Sequence, residues 1–182
     1  DFVGPYKPVY PLLDVEHPVT YGACDLQDYY FEHKRSQIEG MRHATRVILE
    51  VGTDFGKRFG RTYGLFDTYR MEDAEVAIVV LSSTAGTARY AVDSMRLKGV
   101  RAGLLKPRVF RPFPAKELCD TLRNVKAVAV MDRSVSFGAV GNGGPLWIEL
   151  SAAVQTNKLR MPILDYVFGL GGREIKPSHI EG

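Results

Sequence analysis

Apolar and polar positions follow three different rhythms along this chain. From Asp28, apolar residues recur at Ile38, Met41, Thr45 (by its methyl), Ile48, Val51, Phe55 and Phe59, the spacing of one helix face. That predicts a long helix over 28–58, ended by Phe59-Gly60-Arg61. Gly52 and Gly56 lie inside it, and glycine is a weak helix former, so a kink or break is expected in its second half. From about Asp73 the rhythm changes. Val76-Ala77-Ile78-Val79-Val80-Leu81 is an unbroken apolar run rich in β-branched residues, as in a strand buried on both faces. After Ser82-Ser83-Thr84-Ala85-Gly86-Thr87 comes a helical pattern through Ala91, Val92, Met95 and Leu97, closed by Gly99. Further strands are predicted over 100–105, 126–131 and 163–168. The helices between them run over 115–123, after Pro112 and Pro114, and from Pro145 to about Val154. Glycine-rich loops follow at 138–144 and 169–172.

Strand and helix alternating over short links imply an α/β fold: a mostly parallel open sheet covered by helices on both faces. Parallel neighbours need crossover helices because no tight turn can join them. The first stretch has neither rhythm. Residues 1–27 are rich in proline and tyrosine, and each X-Pro step disfavours helix, so an extended arm is expected there. Phe2, Tyr6, Tyr10, Leu12 and Leu13 make this arm too apolar to float. It should pack, against this chain or against a domain outside it. The organisation read from the sequence is therefore an arm over 1–27 and a single α/β domain over 28–182, with the sheet over 73–182.

Composition narrows the function. A 45% hydrophobic chain of 182 residues supports one packed core. The net charge of +3, with no basic block, argues against a nucleic-acid partner. No apolar run approaches a membrane span, and no secretory leader is visible, which gives a cytoplasmic reading. The chain lacks an initiator methionine and is expected to begin inside a longer polypeptide. Cys24 and Cys119 have no companions at disulfide or zinc spacing, so both are read as reduced thiols. His17, His33, His43 and His179 show no ligand spacing, and no metal site is assigned.

Ligands of an open parallel sheet gather at the carboxyl ends of its strands. Four segments leave that edge here. Thr84 and Gly86 lie in the hydroxyl-rich turn before a helix, which is either an ordinary N-cap or an anion cradle. Arg108, Arg111, Arg133 and Arg173 are spread over the other three loops. Together they could clamp a phosphate or carboxylate, or they could form ion pairs with Asp132, Glu174 or a partner's carboxylates. Phe113, Gly171 and Gly172 complete the ligand or interface candidates, the glycines supplying positive φ or close approach. No nucleotide-binding glycine motif and no nucleophile with a matched base is present, so no catalytic residue is assigned.

Three groups of residues in these loops carry a resemblance. They are Gly103-Leu104-Leu105-Lys106 with Arg111-Pro112-Phe113-Pro114, Asp132-Arg133 with Ser136-Phe137-Gly138, and Gly169-Leu170-Gly171-Gly172-Arg173. In order and spacing they resemble the C-terminal part of the α subunit of pyruvate:ferredoxin oxidoreductase and related 2-oxoacid:ferredoxin oxidoreductases. The front half is similar as well, through His17-Pro18-Val19-Thr20-Tyr21-Gly22-Ala23, Gln37 with Met41, Phe59-Gly60-Arg61-x-Tyr63-Gly64, and Tyr69 with Glu72-Asp73-Ala74-Glu75. The chain departs from the family pattern at Ser82-Ser83, where Gly-Ser is usual, and at Glu174, where Asp is common.

The resemblance implies a domain like the C-terminal domain of transketolase, and a part in oxidative decarboxylation of a 2-oxoacid with transfer of the acyl group to coenzyme A. Thiamine diphosphate, magnesium and iron–sulfur clusters are then expected in the parent enzyme and none in this chain. Its partners would be the thiamine-binding and iron–sulfur domains or subunits, ferredoxin through the whole enzyme, and in one reading a second copy of itself. The leading expectation is an assembly domain, inactive alone. The alternative is a small-molecule module whose edge loops hold an anion such as the coenzyme A phosphates.

Overall fold

The structure, a computed structural model, describes residues 2–22 and 24–182. Asp1 and Ala23, both within the expected arm, lie outside the described residues. The chain divides into two compact units, residues 1–62 and 63–182.

In the first unit the described residues of the arm form no helix or strand before α1 (Tyr30–Phe59). It is tied down locally. Asp14 accepts the backbone N–H groups of Glu16 and His17, and Tyr21 donates its hydroxyl to the Tyr10 carbonyl at 2.8 Å. Phe2 meets Phe55 and Phe59 edge-on near the end of α1, with Arg58 over its ring. The expected kink does not occur, and α1 is one uninterrupted helix of 30 residues. Gly56 serves close approach instead: a Cβ there would lie 2.1 Å from the Thr62 hydroxyl oxygen. Gly60, at φ 71°, caps the helix with its N–H on the Gly56 carbonyl.

The second unit holds one five-stranded sheet: β1 (Phe66–Tyr69), β2 (Val76–Val80), β3 (Ala102–Pro107), β4 (Ala127–Asp132) and β5 (Ile163–Val167), in the spatial order β1-β3-β2-β4-β5. The four predicted strands are parallel neighbours. The sequence pattern does not announce β1, which pairs antiparallel with β3 from Phe66 opposite Pro107 to Tyr69 opposite Leu104. Helices α2 (Thr84–Leu97), α3 (Ala115–Leu122), α4 (Pro145–Thr156) and α5 (Pro177–Glu181) cover the sheet.

Alternation along β2 builds two cores, because successive side chains point to opposite faces. Ala77 and Val79 pack with Leu118, Leu122, Leu146 and Leu150 of α3 and α4. Ile78 and Val80 pack with Ala88 and Val92 of α2, and Ile180 of α5 lies against the same cluster. The sheet is thus buried on both faces at its centre, as its apolar runs predict. Burial pushes the Cys119 thiol, inside the first core, above its ordinary value, consistent with a packing role.

Candidate functional site

The strand order creates a switch point. The chain leaves β2 through α2 for β3 on one side and leaves β4 through α4 for β5 on the other. The carboxyl ends of β2 and β4 therefore diverge, and a crevice opens between them. A hollow of about 230 Å³ lies there, walled by Leu81, Met131, Pro145 and Phe168 and rimmed by Ser82, Thr84 and Arg133. Beside it, a second hollow of about 260 Å³ is lined by Ser83, Thr84, Thr87, Arg133, Arg173, Glu174 and Ile175.

The turn into α2 is not the ordinary N-cap of the simpler reading. Ser83 occupies the cap position with helical backbone angles and makes no side-chain cap hydrogen bond. Ser82, before it, is held at φ 60°, an uncommon conformation for a residue with a side chain. No acidic residue lies in the first turn. Thr84 is only 7% exposed, yet among the described residues its hydroxyl has no hydrogen-bond partner, and it lines both hollows.

The four arginines separate into two pairs. Arg108 and Arg111 are engaged in ion pairs. Arg108 donates to Asp67 at 2.6 Å and lies over the Tyr63 ring, and the Asp67 carboxylate raises its pKa further above the usual guanidinium value. Arg111 donates to Glu149 at 2.5 Å and lies over Phe110. Phe113 meets the Phe110 ring edge-on at 6.0 Å and packs on the core. Arg133 and Arg173 converge on the second hollow, and neither has an ion pair among the described residues. Arg133 uses one donor, its Nε, on the Gly169 carbonyl at 3.2 Å, which leaves its terminal nitrogens available.

Neither acid named as an alternative partner forms an ion pair with these arginines among the described residues. Asp132 is buried and accepts the backbone N–H groups of Leu146 and Trp147 at the start of α4. Its desolvation raises its pKa above the usual carboxylate value, partly offset by those two N–H groups and reinforced by nearby Asp165. Asp165 in turn accepts the Gly144 N–H at 2.9 Å. Glu174 lies 3.8 Å from Lys176.

Among the glycine candidates, Gly171 and Gly172 have φ of 65° and 86° but open space where a Cβ would point, and Gly86 is likewise open. Gly169, flagged in the sequence only as part of a loop, makes the closer contact. At φ 61°, a Cβ there would fall 3.0 Å from Arg133 Nε and 3.3 Å from the Arg173 carbonyl. The same turn thus brings the two unpaired arginine loops together.

Residues 74–180 match the model of pyruvate:ferredoxin oxidoreductase core domain II, a span that holds both hollows. The chain belongs to that family. It is 50% identical over 179 residues to pyruvate synthase subunit PorA of Thermotoga maritima, a match covering 98% of this chain and 45% of that subunit. The PorA subunit of Methanothermobacter thermautotrophicus is 39% identical over 170 residues, covering 93% and 43%. The ketoisovalerate oxidoreductase subunit VorA of Pyrococcus horikoshii is 39% identical over 175 residues, covering 96% and 44%. The chain thus spans less than half the length of these relatives.

Proposed function

We propose that this chain is an assembly domain of a thiamine diphosphate-dependent 2-oxoacid:ferredoxin oxidoreductase. The parent enzyme would convert a 2-oxoacid and coenzyme A into acyl-coenzyme A and CO2, passing two electrons to ferredoxin. Pyruvate is the favoured substrate, since the 50% identical relative is named a pyruvate synthase subunit. No step of that chemistry is assigned to this chain's side chains. Among the described residues no three His, Cys, Asp or Glu side chains gather into a metal-holding group.

One observation carries the assembly reading. The arm and α1 leave a long run of apolar side chains in the open: Leu13 is 91% exposed, Val15 87%, and α1 buries only Gly52 fully. Isolated large apolar residues are common on surfaces, but contiguous apolar area usually marks an interface. The candidate partners are the thiamine-binding and iron–sulfur parts of the enzyme.

The test is substitution of Leu13 and Val15 by serine in the full-length chain, co-expressed with the subunits it assembles with. Native mass spectrometry should show lost subunits while circular dichroism of the variant chain stays intact. An unchanged assembly would overturn the proposal.

A further inference from the structure

We infer that the crevice between β2 and β4 binds the phosphoryl group of a small organic phosphate. The first turn of α2, the Thr84 hydroxyl, Arg133 and Arg173 would hold it. Three independent observations meet at this point. The first is topological: these strands form the switch point of the sheet, and their carboxyl ends diverge there. The second is Thr84, 7% exposed with a hydroxyl that no described residue satisfies. The hydroxyl is not sealed in protein, since Asp165 Oδ1 is the one fully buried polar side-chain atom without a partner among the described residues; on a residue that lines both hollows, it is open to a ligand. The third is the contrast among arginines: two of the four edge-loop arginines are paired with carboxylates, and the two that line the hollow are not.

The number of donors selects the class of anion. Two guanidinium groups, the Thr84 hydroxyl, the flanking Ser83 and Thr87 hydroxyls and the free N–H groups of the first turn exceed what the two oxygens of a carboxylate can accept. A tetrahedral phosphoryl group offers three oxygens and matches the arginine fork bidentately. The start of α2, with no acid in its first turn, adds positive potential. Two carboxylates adjoin the site. Glu174 lines the hollow and offsets one of the two arginine charges. Asp132 borders the deeper hollow, but its oxygens are committed to the N–H groups of α4. That deeper hollow, walled by Leu81, Met131, Pro145 and Phe168, suits an apolar body behind the phosphoryl group.

The experiment is equilibrium dialysis of labelled inorganic pyrophosphate against the full-length chain in its native assembly, at constant ionic strength. One equivalent per chain is expected to bind. Arg173→Ala, Arg133→Ala and Thr84→Val should each weaken binding by about tenfold or more. Arg160→Ala, which precedes β5 at the opposite edge of the sheet, should not change it. Matched thermal midpoints without ligand will show that each variant is folded. If a variant fails that check, protection of the unaltered enzyme by pyrophosphate from phenylglyoxal labelling at Arg133 and Arg173 replaces it. Absence of saturable binding below roughly 10 mM, or equal binding in the double arginine variant, would overturn the site. Equally tight binding of succinate would overturn the phosphoryl assignment and leave these arginines to carboxylates.

Discussion

Trp147 donates its backbone N–H to the Asp132 carboxylate at 2.9 Å, tying the end of β4 to the first turn of α4. The donor of Leu146 joins the same carboxylate at 3.2 Å. This one buried side chain therefore satisfies two of the N–H groups that every helix leaves open at its start. Asp132→Ala should cost about 1–3 kcal/mol in urea unfolding, because both donors are stranded in a water-poor site.

The same carboxylate gives stability a pH dependence. Its folded pKa is raised above the ordinary 3.8, chiefly by burial. Between 3.8 and that raised value the folded state holds more protons at this site than the unfolded state, so stability falls as pH rises through the window. Thermal midpoints measured across mildly acidic pH should show this decline in the unaltered chain and lose it in Asp132→Asn. A decline of equal slope in both proteins would assign it to other groups.

Gly144 packs against Asp132 so closely that a Cβ would lie 2.2 Å from its Cγ. Gly144→Ala must displace the carboxylate or the start of α4. Overpacking of this kind costs about 1–3 kcal/mol, readable in the unfolding midpoint.

Leu150 is fully buried between α4 and the sheet, among Leu118, Leu122 and Val130. Leu150→Ala should lose about 2–5 kcal/mol through removed contacts and the cavity left behind. A far smaller loss, by denaturant titration, would mean the core can collapse around the gap.

Arg111 and Glu149 form an ion pair at half-exposed positions. Arg111→Ala is expected to change stability by less than about 1 kcal/mol, since exposed pairs contribute little. A large effect on subunit association without one on stability would place this pair in the proposed interface.

How much was readable beforehand follows from the range of the interactions. The runs at Val76–Val80 and Ala127–Asp132 mark strands because burial on both faces leaves no room for polar alternation. Phe66-Asp67-Thr68-Tyr69 is too short and mixed to stand out, and its strand exists through pairing with β3, far along the chain. Gly52 and Gly56 misled for a related reason. Propensity predicts a weak helix, but Gly52 is buried and Gly56 meets Thr62, so packing overrides it. At the edge, residue types marked the candidate loops, but no local pattern could sort the arginines. Arg108 is engaged because Asp67 lies on the neighbouring strand β1, whereas Arg133 makes no ion pair with Asp132, its neighbour in sequence, which turns inward to α4.

The position of β2 also bears on how the chain is made. It is the first of the parallel strands to leave the ribosome, and it ends at the centre with β3 and β4 on either side. β5 arrives last and only extends the margin. A nascent chain can thus build outward from an established middle, with each new strand meeting a partner already synthesised. Truncation from the C-terminus would remove a border, whereas loss of β2 would leave β3 and β4 without a common neighbour.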